Sequence, residues 1–373
     1  MSGVRHLYVH LPFCASRCGY CDFVTVVGRP GQHPAYVDAL LAELSLQREL
    51  LAEPLESVFL GGGTPTFTEP TELERLLGAL PQALEVTVEA NPETVTPKLA
   101  SLLRESGVDR VSVGAQSFRP HLLDMLERRA RPDDVRRAVY ALRDANIDNI
   151  SLDLIYGIPG QSAADLDADL NDALALEPEH ISCYELEAKR GTRFTHAHGA
   201  ELARQADAME SYFERVVRRV TAAGYRWYET ANFCRSPSLA DGRDLRSRHN
   251  LAYWRGRDYL GLGIGAVSTI DGRRWRNTSR LGAYLSALAA GERPPHEMEE
   301  LPRDVRRSER VLLGLRLDEP LEVAGLESAV DWSAVKRLER LGLVRREGDS
   351  AGTLTLTRRG RFLGGGVTAD LLA

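Results

Sequence analysis

The chain is 373 residues long, 43% hydrophobic and 27% charged, with a formal net charge of −6. These values describe a soluble globular protein with room for one large and one smaller domain, and its net negative charge argues against nucleic acid as a partner. No apolar run approaches the roughly 18 residues of a membrane span, and Met1–Arg5 leads into strand-like sequence rather than a signal peptide, so a cytoplasmic location is expected.

Short β-branched runs alternate with helical patterns along the chain. "HLYVHL" (6–11) reads as a strand, and "PAYVDALLAELSLQRELLA" (34–52) as a helix opened by Pro34. "SVFLGGG", "EVTVEAN", "RVSVGAQ", "NISLDLIYG" and "HISCYELE" follow as strands. Helices separate them at "PTELERLLGAL", from Pro97, between Pro120 and Ala145, and from Ser162. Six strands alternating with helices predict βα units and a parallel sheet, extended by a helix near 205–223 and a strand at "YRWYETAN". Ligands of such sheets gather beyond the carboxyl ends of the strands, where this sequence places Cys14, Gly61–Thr64, Glu89–Asn91, Gln116 and Asp153. The composition changes at "GERPPHEMEELPRD" (291–304), read as a linker between a body, 1–290, and a C-terminal unit, 305–373. The helix and hairpin-like pattern of "VDWSAVKRLERLGLVRREGD" and "GTLTLTRRGRFLGGG" make that unit winged-helix-like.

Three of the five cysteines, Cys14, Cys18 and Cys21, fall within "HLPFCASRCGYCDF" (10–23). In a reducing compartment that clustering points to metal or redox chemistry rather than disulfides. A structural zinc site closes with four protein ligands, and His10 or Asp22 could supply the fourth. The alternative is an iron–sulfur cluster whose fourth iron stays open to a ligand. Cys183 and Cys234 stand alone and read as core packing. In "GGGTPT" (61–66) the missing side chains let backbone approach a ligand closely. Asp153, a carboxylate among apolar strand residues, is costly unless satisfied, which favours a site role. Arg128, in "ERRARP", reads by itself as part of a solvated face.

The Cys-x3-Cys-x2-Cys spacing after the first strand, with Tyr20 and Phe23 flanking the last cysteine and the glycine run after the second strand, resembles the radical S-adenosylmethionine (SAM) proteins. "LYVHLPFCASRCGYCDF", "FLGGGTPT", "VEANPE", "VDRVSVGAQSF", "NISLDLIYGIPGQ", "YETANF" and "RHNLAYWRGRDYLGLGIGA" resemble, in order and spacing, the oxygen-independent coproporphyrinogen III oxidase-like family, and within it the heme chaperone branch. The resemblance implies an α/β fold, a partial (β/α)6 radical SAM barrel carrying the small C-terminal winged-helix-like domain. It also implies a 4Fe–4S cluster on Cys14, Cys18 and Cys21. Tyr8, Gly62, Gly63, Thr64 and Glu89 would meet SAM, and Tyr20, Gln116, Arg128 and Asp153 match positions that contact a second SAM in the oxidase.

Two departures count against the oxidase reading. Phe23 stands where the oxidase branch carries a further cysteine, and only 13 residues precede Cys14. "RHNLAYW" (248–254) resembles the chaperone branch's heme-associated motif, which makes His249 the candidate axial ligand, Tyr253 and Trp254 a flat apolar surface, and Arg246, Arg248, Arg255 or Arg257 partners for propionates. Without the resemblance, the same stretch reads as a polar loop over the sheet's rim with His249 hydrogen-bonded structurally. Val267 replaces a histidine common in the family, while His196 and His198 fall in an expected loop. The expected function is binding of heme and its transfer to acceptor hemoproteins, with radical SAM oxidation of coproporphyrinogen III or a related tetrapyrrole as the alternative. A homodimer and a peripheral membrane contact are left open as modes of delivery.

Overall fold

The computed structural model describes residues 3–187, 193–236, 242–348 and 352–373. All six expected strands form: β1 (His6–Leu11), β2 (Ser57–Gly62), β3 (Val86–Ala90), β4 (Arg110–Gln116), β5 (Asn149–Tyr156) and β6 (His180–Glu185). They pair parallel, each with the next. "YRWYETAN" is not one strand but the start of a hairpin, β7 (Tyr225–Trp227) and β8 (Asn232–Arg235), whose β8 lies antiparallel on β6. At the other edge β9 (Leu260–Leu262) runs parallel to β1.

Each barrel strand alternates, and the alternation sets the two faces. Leu7, Val9, Leu11, Val58, Leu60, Val88, Val111, Val113, Ile150, Leu152 and Ile181 are buried on one face, against helices such as Leu40 and Leu44 of His33–Gln47 and Leu99 and Leu103 of Pro97–Glu105. The intervening residues are polar: His6, His10, Ser57, Thr87, Glu89, Arg110, Ser112, Ser151, Asp153, His180 and Ser182. They share the face that lines the lumen. A parallel sheet covered on both faces reads as continuous apolar runs, so this pattern marks a sheet covered on one face and curled around a polar interior. Tyr184 on β6 and Glu89 on β3 interact electrostatically, as expected of strands facing each other across a lumen. Tyr8, Phe59, Glu89 and Asp153 stay half-buried in mid-strand, so the interior is hollow rather than filled by side chains.

The C-terminal unit has its own core of Val311, Leu321, Val335, Leu338, Leu354 and Leu356. Helix Trp332–Arg340 is followed by strands Val344–Glu347 and Thr353–Leu356, which pair with each other, the latter also with Leu321–Glu322, in the winged-helix-like arrangement. Paired guanidinium–carboxylate contacts fasten it to the body: Arg226 grips Asp318 at 2.7 and 2.9 Å, and Arg274 grips Glu309 at 2.8 and 2.9 Å.

Two local expectations need correction. Within 291–304, read as a linker, residues His296–Glu300 form a strand on Arg273–Asn277. The strand is exposed throughout, but the pairing sets Arg273 opposite Glu300, Arg274 opposite Glu299 and Arg276 opposite Glu297. Opposite charges across a ladder stabilise the pairing where no core does. His196 and His198 lie in a helix, Arg193–Gln205, not a loop. Phe194 and Leu202 hold that helix by packing against Leu122, Leu126 and Ile158.

Candidate functional site

At the carboxyl end of the barrel, Cys14 closes a short strand after β1, and Cys18 and Cys21 follow in a turn where Cys21 N–H donates to Cys18 O at 3.2 Å. All three thiols are free. Burial pushes the Cys14 and Cys21 thiols up, and each also experiences repulsion from the neighbouring sulfurs. A ring of polar contacts ties this loop to the strand ends. Thr64 Oγ1 donates to Cys14 Sγ (3.5 Å) and accepts from Asn91 Nδ2 (3.0 Å). Arg128 donates to Asn91 Oδ1 (2.9 Å), Gly114 O (2.8 Å) and Cys18 Sγ (3.6 Å).

The solvated-face reading of Arg128 is therefore wrong: its side chain is buried, and Nε has no partner. Tyr20 packs against the Leu122–Phe194 cluster and interacts with the same guanidinium. Gln116 ends β4 with φ 63° where the register to β5 shifts, and its amide lies over Gly114, 2.8 Å from where a Cβ would sit.

The glycine run lies beside this ring. A Cβ on Gly62, whose φ is 110°, would meet the His10 ring at 2.4 Å, and one on Gly63 would meet Pro12 O at 2.5 Å. Only glycine fits, and Gly62 N–H is left to donate to Glu89 Oε2 at 3.1 Å. Burial, and then the Asp153 carboxylate, push Glu89 up to about 7. Asp153 is satisfied by hydroxyls: Ser112 Oγ donates to it at 2.9 and 3.1 Å and Ser151 Oγ at 3.3 Å. Its carboxyl is nonetheless raised, with burial outweighing the hydroxyl donors. His10 Nε2–H donates to Val24 O at 2.8 Å, so its Nδ1 accepts from Tyr8 OH at 3.0 Å. Burial pushes His10 down to about 4, which keeps it neutral.

His249 lies elsewhere. It is buried on helix Arg248–Trp254 beside Ser57 and His6, the first residues of β2 and β1, hence at the amino end of the barrel rather than on the rim. Its ring stacks on Phe59 (4.8 Å, 22°) and Tyr8 (6.1 Å, 28°), with Tyr253 edge-on at 4.9 Å. Burial pushes it down to about 3. One face of Trp254 is covered by the Arg316 guanidinium, 4.2 Å over the ring. Arg246 and Arg255 are both engaged by Glu319. A cavity of about 310 Å³ opens between the cysteine loop and this helix, lined by Tyr8, His10, Phe23, Tyr253, Val267 and Arg276.

Sequence reasoning placed Asn91 at the strand ends but missed its bridge between Thr64 and Arg128, and it missed the pair His6–Ser57. Their signal is the period-2 polar face, which continues through Asn91 beyond β3 and starts at His6 and Ser57. Arg276 carried no signal, because its position depends on the pairing of 267–270 with 273–277.

The model of the radical SAM superfamily matches residues 8–173. The heme chaperone HemW of Mycobacterium tuberculosis is 35% identical over 98% of this chain and 94% of its own length. This chain belongs to the HemW family. HemW of Bacillus subtilis is 31% identical over 99% of both chains. In fold, the chain matches the coproporphyrinogen III oxidase HemN of Escherichia coli with a TM-score of 0.81, at 22% identity over 99% of this chain and 90% of that one.

The residues fit a 4Fe–4S cluster with SAM. They supply three free thiols on one loop, a backbone cradle that admits no Cβ, and an arginine that donates to one sulfur and keeps a buried, unpartnered Nε. Among the described residues no three His, Cys, Asp or Glu side chains stand close enough to hold a single metal ion, and Cys14, Cys18 and Cys21 are the ones that would hold the cluster.

Proposed function

We propose that this protein binds heme and passes it to acceptor hemoproteins in the cytoplasm, with a 4Fe–4S cluster on Cys14, Cys18 and Cys21 and SAM beside it. The supporting observation is the separation of two sites along one barrel: a thiol and glycine site at the carboxyl end, and a buried aromatic-walled histidine at the amino end, joined by the cavity that Tyr8 and Tyr253 line. Once reduced by an external electron donor, a cluster held by the three cysteines would pass one electron to SAM and cleave a carbon–sulfur bond to methionine and a 5′-deoxyadenosyl radical. The chain's own residues orient and insulate that site. Gly62 and Gly63 let this strand end pack closely on His10 and Pro12 beside the thiols, Thr64 and Arg128 hold two of the sulfurs, and Glu89 offers a carboxyl to an amino group.

The heme is cargo. Its macrocycle suits the aromatic walls of Phe23 and Tyr253, a propionate suits the Arg276 guanidinium, and His249, packed behind Tyr253, would be the imidazole offered to the iron. Anaerobic incubation of heme-loaded, cluster-reconstituted protein with an apo-hemoprotein tests the reading, and transfer on dilution is expected. Conversion of coproporphyrinogen III to protoporphyrinogen with SAM and reductant, without heme transfer, would overturn it.

A further inference from the structure

His249 Nε2 is buried and has no hydrogen-bond partner, whereas Nδ1 lies 3.3 Å from Ser57 Oγ. Ser57 Oγ lies 2.9 Å from His6 Nδ1, and His6 Nε2 lies 3.7 Å from Glu56 Oε2. Three side chains thus run in line behind one imidazole. The proton positions along the line follow from its acidic end. The Glu56 carboxylate, at 3.7 Å beyond hydrogen-bond reach, favours by its charge a hydrogen on the facing His6 Nε2. His6 Nδ1 is then an acceptor and takes the Ser57 hydroxyl hydrogen. Ser57 Oγ has only lone pairs left to offer, and these accept from His249 Nδ1–H. Nε2 is left as a bare lone pair.

Reversing the line would turn the His6 lone pair toward a carboxylate. It would also bury a His249 N–H among Phe59, Tyr8 and Tyr253 with no acceptor.

We propose that Ser57, with His6 and Glu56 behind it, is a positioning residue that fixes His249 as its Nδ1–H tautomer and leaves the Nε2 lone pair as the donor to heme iron. This rests on the reading of His249 as the axial ligand. A hydrogen bond from the far nitrogen of a ligating histidine sets ring orientation and raises ligand basicity, and losing such a partner typically costs about 10–100-fold in metal affinity. Tyr8 and Tyr253, which flank the imidazole, both line the cavity, so the lone pair lies one side chain behind the cavity wall.

The first test needs neither heme nor a variant of the line. Long-range proton–nitrogen correlation spectra of the whole protein, labelled with nitrogen-15 histidine and assigned with His249→Gln, should show His249 protonated at Nδ1 and bare at Nε2. A proton on Nε2 would overturn the proposal whatever the heme does. Ser57→Ala should then weaken binding of ferrous heme about 10–100-fold and lower the iron–histidine stretching frequency, with Ser57→Thr restoring both. Wild-type affinity and frequency in Ser57→Ala would also overturn it. If His249→Ala binds heme as the wild type does, the ligand reading fails, while the tautomer result stands on its own spectrum.

Discussion

The two ends of the barrel solve opposite problems with similar residues. At the carboxyl end, polar groups are tied to one another from Cys14 through Thr64 and Asn91 to Arg128 and Cys18, and the loop that carries the thiols is half open. At the amino end, His249 is closed in by aromatic rings and one of its nitrogens has no partner. The first end presents thiols, hydroxyls, an amide and a guanidinium along a rim. The second withholds a single lone pair from water. Neutral imidazole is the form that ligates iron, and burial at the amino end guarantees it.

The sharpest way to separate the ends is to remove a thiol. Cys14→Ser should abolish cluster assembly, with iron and acid-labile sulfide near zero after reconstitution, yet leave His249 neutral and buried. Next in size is Gly62→Ala. Its methyl would meet the His10 ring at 2.4 Å on a backbone with φ 110°, so unfolding in urea should show a loss of about 2–4 kcal/mol. Arg128→Ala leaves Asn91 Oδ1 and Gly114 O without their donor, and the same measurement should read about 2–3 kcal/mol.

A pH series probes the lumen between the ends. Glu89 titrates at about 7 in the folded chain against 4.5 for the ordinary group, so the folded state holds this proton longer. Its contribution is fully present below pH 4.5 and is lost as the pH rises through about 7. Glu89→Gln removes that loss, so the variant should gain on the wild type across this window by about 3 kcal/mol, read from denaturation midpoints at each pH. The smallest effect on stability is expected at the cavity. Phe23 is 59% exposed, and Phe23→Ala should change stability by less than about 0.5 kcal/mol while weakening heme binding in a titration.

Much of the carboxyl end was legible in the sequence because its chemistry is local. Cys14, Cys18 and Cys21 share one turn, the glycines share one strand end, and prolines open the helices from Pro70, Pro97, Pro120 and Pro132. The amino end was not legible in place. His249 meets Ser57 across 192 residues, a register that neither "RHNLAYW" nor "SVFLGGG" contains, and so a motif expected over the rim lies at the opposite end. Arg128 misled for a related reason, since a run of arginines does not say which one turns inward. The strand at 296–300 was hidden because its partner in pairing is the charge pattern of 273–277 rather than a core.

An anaerobic heme titration, followed by Soret absorbance, of the cluster-reconstituted wild type and of His249→Ala tests the account most directly. One heme per chain, with affinity and spectrum both changed in the variant, is the predicted result. Heme binding that is indifferent to His249, or absent while the cluster is intact, would contradict the assignment of the amino end to heme.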